Sequence, residues 1–582
     1  MRLRLQMLAV VFYLGVLGAA CAQDFHLKII AFNDFHGNLQ SPGRLRANAQ
    51  SREAAAGGVD YLAGYVARLR AENPLNVVVS AGDLTGASPL VSALFHDEPT
   101  IETMNRLGLE INAVGNHEFD NGLQELKRKQ HGGCFAGDGN TCEGAKVGTP
   151  TPFEGAKFQY LAANVYDKRT GRTIFPGYTI KTFKGVKVAF IGLTLKDTPT
   201  IVIAKNVAGL KFTDEADAIN GIVRRLKPQG VTVFVVLIHQ GGFQKREGAA
   251  DINGCAGGLK GYPIESIVNR LDDAVDVVFS AHTHVSYVCR VANSKGRAIP
   301  VTQASSFGRV LTDADLTIDQ QTGRVRNVTT RNLLVDRTNP EIEPDLALRR
   351  IVDRYAALAA PIVNRVVGSI ARDVPKEVNA AGESAMGDLI ADAQLEATQG
   401  PHAGSAVIAL MNEGGVRAGL PFAAQAPGVG EGKVTYGELV TAQPFGNDLV
   451  TVTLTGEQIH TLLEEQFKGC ALGMRPGDGD VPTNDRRLEL SEGFHYSWHR
   501  DAAPCHKVDA SSMRLNGAAI SPEGRYRVTV NSLMAEGGSQ YYVLKQGTDR
   551  RVGVQDVEAM VEYFARHAAV APPALDRIDV EP

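Results

Sequence analysis

The chain has 582 residues, which is too long for one ordinary hydrophobic core, so we expect two or more domains. Hydrophobic residues make up 44% and charged residues 21%, values typical of a globular protein and not of a disordered or membrane-spanning chain. The formal charge of −4 gives no reason to expect a nucleic-acid polymer or an anionic membrane as a partner. An anionic ligand must therefore be attracted locally, by metal ions or a few arginines.

The N-terminus has the pattern of a secretory signal peptide. Positive charges precede an apolar stretch, 7–17, which is shorter than the ~20 residues of a membrane span. Ala20 and Ala22 fit an Ala-x-Ala cleavage site, so we expect a signal peptide over 1–22 and export to the periplasm or beyond. Lipid attachment at Cys21 is the alternative, and it is disfavoured because Gly18 stands where lipoprotein signals usually carry leucine.

Six cysteines remain beyond the signal peptide, an even number that in an exported chain indicates disulfides over unpaired buried thiols. They are poor zinc ligands because no pair has Cys-x-x-Cys spacing. Six cysteines permit several pairings, and proximity along the chain favours Cys134 with Cys142, Cys255 with Cys289 and Cys470 with Cys505.

Apolar runs rich in valine and isoleucine alternate with amphipathic stretches up to about residue 334. Runs of this length fit buried strands, and the segments between them can hold helices. We predict strands at 27–32, 77–80, 112–114, 186–191, 231–238 and 276–280, within an α/β domain spanning 23–338. The insert 131–152 is predicted to be a disulfide-closed loop.

A linker helix is predicted over 339–365, because prolines end the first domain and Asp345 precedes an apolar stripe with helical spacing. A second α/β domain, 366–582, is expected to follow it. Its predicted helices are 383–398 and 456–467, and its predicted strands are 406–411, 447–455 and 526–531.

Polar motifs follow the ends of five of the predicted strands. Strand ends at one edge of a layered α/β fold form a single crevice, the usual ligand site. The residues that arrive there are Asp34 and His36, Asp83, Asn116 to Asp120, His239, and His282 with His284.

Carboxylate, amide and imidazole groups without thiolates suit divalent zinc, manganese, iron or nickel. Seven of these residues are candidate ligands: Asp34, His36, Asp83, Asn116, His239, His282 and His284. Seven ligands are more than one four-coordinate ion can use, so the sequence implies two metal ions. A bridging carboxylate would hold them roughly 3.5–4 Å apart, the separation used in phosphoryl displacement.

The motifs Asp34-x-His36, Gly82-Asp83, Gly115-Asn116-His117-Glu118, His239 and His282-x-His284 resemble the signature of calcineurin-like metallophosphoesterases. The longer motif ending at Asp120, together with the second domain, is similar to the bacterial 5'-nucleotidase family. The resemblance covers nearly the whole mature chain. It implies a four-layer α/β/β/α metallophosphoesterase domain, joined by a helix to a C-terminal α/β substrate-recognition domain.

The resemblance also implies roles for the residues of the motifs. His117 resembles the family's catalytic histidine and Asp120 its orienting carboxylate, while Glu118 is interpreted as a structural carboxylate outside the site. The expected cofactors are two divalent ions such as zinc, manganese or cobalt. One is held by Asp34, His36 and His284, the other by Asn116, His239 and His282, and Asp83 bridges them.

In this family the C-terminal domain recognises the substrate. Asn412 and Arg417 resemble two polar residues that contact the ligand, and a guanidinium suits phosphate because it offers fixed, paired donors. Phe445 resembles the phenylalanine that stacks on the nucleobase, and Asn447 is a candidate base contact.

Three departures from the family pattern concern this second domain. Leu533 and Ser539 stand where the family usually has a second aromatic residue and an aspartate, and Tyr541 or Tyr542 are candidates to replace the aromatic ring. The stretch 375–388 contains no arginine, although family members often place a phosphate-binding arginine there. We therefore expect the metals to carry more of the phosphate binding.

The leading hypothesis is an exported enzyme of nucleotide catabolism that hydrolyses nucleoside 5'-monophosphates. A 2',3'-cyclic-nucleotide phosphodiesterase or a UDP-sugar hydrolase on the same scaffold is the alternative. A thiosulfate-ester hydrolase would leave the Phe445 segment unexplained. A non-catalytic surface protein that binds metal or nucleotide is an alternative of another class, and the intact pair of His117 and Asp120 argues against it.

Overall fold

The computed structural model describes residues 24–244, 251–425, 428–475, 481–482 and 484–582. The predicted signal peptide lies outside these residues. Within them, every helix is too short or too polar to cross a membrane.

Two six-stranded sheets form the centre of the N-terminal half. In spatial order, the first sheet contains Val325–Leu334, Val310–Ile318, Phe25–Phe32, Asn76–Ser80, Ile111–Ala113 and Gln159–Leu161. The second contains Ser286–Ala292, Ala298–Ala304, Val275–Phe279, Val231–His239, Val186–Thr194 and Tyr178–Phe183. The strands that precede the ligand motifs are parallel neighbours, so their carboxyl ends reach the same edge.

The two sheets pack face to face, with helices on both outer faces. Ile29 of the first sheet packs with Val235 of the second between the sheets. The next residue, Ile30, faces the other way and packs with Leu62 of a covering helix, because side chains alternate along a strand. Phe234 packs on the outer face of the second sheet against further helices. The predicted four-layer α/β/β/α architecture is confirmed.

The α-helices of the N-terminal half lie on these outer faces and in the loops. They are Val59–Glu72, Leu90–Ala93, Glu98–Leu107, Gly122–His131, Gly144–Val147, Ala204–Val207, Glu215–Leu226 and Pro263–Asn269. Two small sheets pair Leu210–Phe212 with Val165–Asp167 and Arg44–Leu45 with Ala54–Ala55.

The helix Leu346–Val363 links the two halves of the chain. The Asp345 side chain caps its N-terminus by accepting hydrogen bonds from the backbone N–H groups of Ala347 and Leu348. Tyr355, in the middle of the helix, donates its hydroxyl to Glu102 of the N-terminal half at 2.8 Å. A helix at this position agrees with the sequence prediction.

The C-terminal half is built on a five-stranded sheet. In spatial order its strands are Leu488–Leu490, Ile408–Asn412, Arg525–Asn531, Asp448–Thr455 and Thr548–Gln555. A second sheet contains Ala518–Ala519, Arg514–Leu515, Phe494–His499 and Ile578–Glu581, and a third pairs Val366–Ser369 with Lys433–Thr435. The α-helices are Ala385–Thr398, Tyr436–Ala442, Gly456–Glu464, Ser532–Ala535 and Asp556–Arg566.

All three disulfides expected from proximity are present: Cys134–Cys142, Cys255–Cys289 and Cys470–Cys505. Some element bounds differ from the predictions. The insert 131–152 also contains the short helix Gly144–Val147, and the helix predicted to reach residue 467 ends at Glu464. The antiparallel strands between Ser286 and Leu334 were not predicted, because their alternating polar residues do not form long apolar runs.

Candidate functional site

Five of the seven predicted metal ligands have a left-handed backbone: Asp34, His36, Asp83, His282 and His284 have φ angles between 47° and 76°. Residues other than glycine rarely adopt this conformation, and when they do it is often at functional sites. The loops that carry them are held together by backbone hydrogen bonds, including Asp34 N–H to the Gly82 carbonyl at 2.9 Å and His36 N–H to the Asp83 carbonyl at 3.0 Å.

The structure gathers six of the predicted ligands into two groups of three. In each group one ligand atom from every residue lies within 4.8 Å of the others. The first group is Asp34, His36 and His284, and the second is Asp83, His239 and His282.

Asp83 lies between the two groups. Its Oδ2 atom is 3.5 Å from His36 Nε2 of the first group and 3.0 Å from His239 Nε2 of the second. This is the position that a bridging carboxylate requires.

Three polar atoms of the predicted ligands are buried: Asn116 Oδ1 has no hydrogen-bond partner among the described residues, and Asp83 Oδ2 and His239 Nε2 lie 3.0 Å apart with no hydrogen-bond partner outside the predicted ligands. Buried polar atoms are almost always paired, so these three point to a bound cation. All are atoms of the predicted ligands. The residues on either side of Asn116 contact Asp83, because Gly115 packs against the Asp83 carboxylate and the His117 N–H donates to it at 2.9 Å. The donor set therefore fits two divalent metal ions.

Hydrogen bonds orient two of the imidazoles. His36 donates from Nδ1 to the Gly86 carbonyl at 2.8 Å, and His239 donates from Nδ1 to the Ala81 carbonyl at 2.9 Å, which leaves Nε2 of each ring free to bind metal. Burial lowers the pKa of His36 well below its usual value and that of His282 to about 3, which favours the neutral rings that bind metal. At His239 burial acts in the same direction, but the Asp83 carboxylate outweighs it and raises the pKa to about 9.

His117 and Asp120 form the predicted pair beside the metal groups. His117 Nδ1 lies 2.9 Å from Asp120 Oδ2, and the His117 ring lies edge-on to that of His36 with centroids 5.1 Å apart. Burial acts to lower the pKa of His117, but the carboxylates of Asp120 and Asp83 outweigh it and raise the pKa. A proton on this ring is thereby favoured.

Two of the predicted substrate residues lie against this centre. The Phe445 ring stacks on His117, with centroids 5.4 Å apart and 14° between the planes. The Arg417 guanidinium carbon is 5.7 Å from the Phe445 centroid. Arg417 is also close enough to Asp34, Asp83 and Asp120 for their charges to act on its pKa.

The two predicted asparagines are buried and already hold protein partners. The Asn412 amide oxygen accepts a hydrogen bond from Asn531 at 2.8 Å, which leaves its amide nitrogen available to donate. Asn447 donates to Asp556 and accepts from the Ser532 hydroxyl, both at 3.3 Å. Both polar ends of the Asn447 side chain are therefore used within the protein.

The departures from the family pattern have structural consequences. Leu533 is half-buried, whereas Tyr541 is fully buried and donates its hydroxyl to the Arg486 carbonyl, and Tyr542 is 3% exposed. Both tyrosines thus belong to the protein interior. In the stretch without an arginine, Lys376 is exposed and donates to the Arg417 carbonyl at 3.2 Å.

Two further residues hold the ligand loops and escaped the sequence analysis. Asn33 donates to Asp34 Oδ2 at 2.6 Å and to the Ser305 carbonyl at 2.7 Å, so it fixes the Asp34 carboxylate. Gln303 donates to the Thr283 hydroxyl, between the two ligand histidines, at 2.8 Å. In the sequence, Asn33 could have been noticed because it stands next to Asp34, whereas nothing in the sequence marks Gln303.

Models of two protein families match the chain: the calcineurin-like phosphoesterase over residues 27–286 and the 5'-nucleotidase C-terminal domain over residues 366–546. The endonuclease YhcR of Bacillus subtilis is 31% identical over 541 residues, which are 92% of this chain but only 39% of that protein. The cell wall protein Lmo0130 of Listeria monocytogenes is 27% identical over 579 residues, 95% of this chain and 68% of that protein.

The crystal structure of a 5'-nucleotidase precursor from Thermus thermophilus has the same fold. It superimposes with a TM-score of 0.74 at 25% identity and covers 96% of this chain and 100% of the other. Fold, site and similarity together define a metal-dependent phosphoesterase. The chain belongs to the calcineurin-like phosphoesterases that carry a 5'-nucleotidase C-terminal domain.

Proposed function

We propose that the protein hydrolyses nucleoside 5'-monophosphates to a nucleoside and phosphate. The stacking of Phe445, from the 5'-nucleotidase C-terminal domain, on His117 of the phosphoesterase domain carries this proposal. An aromatic ring at this point offers a platform for a nucleobase next to the group that would act on the phosphate ester.

Seven residues would hold the metals: Asp34, His36 and His284 one ion, Asn116, His239 and His282 the other, and Asp83 both. When bound, two such ions offset the charge of a phosphate group and lower the pKa of water toward ~7.

His117 supports the reaction from outside this ligand set. Its raised pKa favours a proton at the imidazole, which can stabilise charge on the phosphoryl group or donate to the departing ester oxygen. Asp120 holds the ring through Nδ1, so the remaining nitrogen, Nε2, is the donor.

The substrate would be held from the second domain. Arg417 carries a guanidinium beside the metal ligands and is the group for the phosphate, assisted by Lys376. Asn412 offers its amide nitrogen and Phe445 its ring to the nucleoside. Asn447 would contact the nucleobase either through its backbone or through its side chain, which would first have to release Asp556 or Ser532.

We further propose that the protein is exported after cleavage behind Ala22. Three disulfides in the described residues fit an oxidising compartment, and a similar protein is named for the cell wall. Identification of the N-terminal residue of the exported protein checks this. Gln23 as the first residue supports the proposal, whereas a lipid-modified Cys21 at the N-terminus would show that the protein is a lipid-anchored lipoprotein.

Chromatographic identification of the products formed from a panel of substrates tests the activity. The purified protein, loaded with Mn²⁺, Zn²⁺ or Co²⁺, is assayed with AMP, 2',3'-cyclic AMP, UDP-glucose and a DNA duplex. The proposal expects the highest kcat/KM for AMP. A preference for the cyclic ester or for UDP-glucose would favour the alternatives on the same scaffold, and cleavage of DNA alone would contradict the proposal.

A further inference from the structure

Glu118 has an unusual set of hydrogen-bond partners for a buried side chain. Its carboxylate, on a residue that is 2% exposed, accepts four backbone N–H groups. Oε1 accepts from Leu84 at 2.7 Å and from Thr85 at 3.3 Å. Oε2 accepts from Gly115 at 2.6 Å and from Asp83 at 3.0 Å.

These donors belong to two different loops. Three lie in the loop after the strand Asn76–Ser80, which carries Asp83, and one lies in the loop after Ile111–Ala113, which carries Asn116 and His117. The carboxylate therefore joins the loop of the proposed bridging ligand to the loop of the second-metal amide and the catalytic imidazole.

The two loops are pressed together at this point. A β-carbon on Gly115 would lie 2.2 Å from Asp83 Oδ1, so only glycine fits there. The same Asp83 Oδ1 accepts the backbone N–H of His117 at 2.9 Å, which turns Oδ2 toward His36 and His239. A small change in the spacing of the loops would move Asp83 Oδ2 relative to both histidines.

We propose that Glu118 is a positioning residue that sets the spacing between Asp83 and the pair Asn116 and His117. It reaches no reacting atom itself and acts through the backbone of the two loops. Glutamine in its place would turn an NH₂ group, which is a donor, toward two of the four backbone N–H groups. The two loops would then lose part of their connection while the fold around them is kept.

The proposal predicts effects on the metals as well as on turnover. Groups that orient metal ligands typically change metal affinity or activity by roughly 10–100-fold when they are replaced. For Glu118→Gln we expect Mn²⁺ affinity and kcat to fall by about that factor, with KM for AMP changed much less, because the substrate contacts of Arg417 and Phe445 remain.

Glu102→Gln is the matched control. Glu102 is also a buried glutamate of the same domain, and its carboxylate accepts the hydroxyls of Thr149 and Tyr355. It reports the cost of replacing a buried carboxylate that contacts neither ligand loop. A purely structural role of Glu118 would lower Tm as this control does and leave the metals unchanged.

The experiment uses the full chain loaded with Mn²⁺. Metal content per chain and the electron paramagnetic resonance spectrum, in which two bridged Mn²⁺ ions give an exchange-coupled signal, are measured for both variants. We expect the coupled signal in the parent and in Glu102→Gln, and its loss in Glu118→Gln. These two readouts need no substrate, so they test the role of Glu118 even if the protein does not hydrolyse AMP. The kcat expectation rests on the proposed function, and a protein that did not hydrolyse AMP would contradict that function alone.

Glu118→Asp covers the case in which the glutamine variant does not fold. It keeps the negative charge but is one methylene shorter, so it cannot reach both loops equally. We expect weaker Mn²⁺ binding and a diminished coupled signal. Parent metal content, a parent-like coupled signal and parent kcat in either variant would overturn the proposal.

Discussion

The rings of Phe445 and His117 lie nearly parallel, with centroids 5.4 Å apart. The two residues are 328 positions apart in the sequence and belong to different domains. The Arg417 guanidinium carbon lies 5.7 Å from the centroid of the Phe445 ring. The residue proposed to hold the nucleobase and the residue proposed to act on the ester are thus in contact, and this geometry determines which substitutions separate binding from turnover.

Replacing Phe445 with alanine should weaken nucleotide binding. Loss of a stacked base costs about 1–3 kcal/mol, so KM for AMP should rise roughly 5–150-fold. KM for ribose 5-phosphate, which has no base, should change little. Phe445→Leu is the control that keeps the apolar contact with His117, and an equal rise in KM for both substrates would mean that Phe445 does not hold the base.

Lys376→Ala should also weaken binding, through the phosphate. Its ammonium donates to the Arg417 carbonyl, in the stretch of chain that lacks an arginine. We expect KM for AMP to rise about tenfold, equivalent to ~1.4 kcal/mol, with Lys376→Arg close to the parent. Lys295→Ala removes an exposed lysine that pairs with Asp273 and serves as the control for net charge. Equal KM values for Lys376→Ala and Lys295→Ala would remove Lys376 from the phosphate site.

Removal of the metals should destabilise the phosphoesterase domain. Asp34 and Asp83 are 0% and 1% exposed, and without cations their charges are balanced by protons on neighbouring histidines and by the Arg417 guanidinium. A site filled at a hundredfold excess of ligand over Kd contributes about 2.7 kcal/mol. Calorimetry before and after chelation should therefore record a lower Tm, restored when Mn²⁺ is added back. An unchanged Tm would argue against occupied sites.

A buried acid in the C-terminal half should make stability depend on pH. Burial raises the pKa of Asp388, against the opposing charge of Arg577, far above its usual 3.8. The native state therefore holds this proton more tightly than the unfolded chain does. The stabilising contribution is complete below about pH 4 and is lost as pH rises toward the native pKa.

Asp388→Asn mimics the protonated acid, so Tm of this variant should fall less between pH 5 and pH 9 than Tm of the parent. Asp576→Asn, at an exposed position beside Arg577, is the control. Thermal unfolding followed by circular dichroism across this range makes the comparison. Parallel curves for the parent and Asp388→Asn would show that Asp388 does not bind a proton in this way.

The sequence was sufficient to predict the parts of the fold that depend on local patterns. Apolar runs mark the central strands because parallel strands are buried on both faces, and the ligand motifs follow directly after them. The linker helix was predictable because Asp345 caps its first turn. The antiparallel strand Val325–Leu334 was missed because most of its residues are only partly buried or exposed.

Relationships between distant segments could not be predicted from the sequence. The role inferred for Glu118 depends on N–H groups about 34 residues earlier, and the partner of Asn447 is Asp556, 109 residues later. The left-handed backbone of His36 and His284 likewise has no signature in their neighbours, because the loops around them impose it. Motifs identified the ligands, whereas the contacts that orient them required the fold.

Phosphate release from AMP by His117→Ala, with metal content determined on the same sample, is the most direct test of the central claim. His117 lies beside the ligand groups and is held by Asp120, so its loss should leave the metals in place. We expect kcat to fall by roughly 10²–10⁴-fold, the usual contribution of a general acid, with two metal ions per chain retained. Hydrolysis of AMP by His117→Ala at the parent rate would contradict the account.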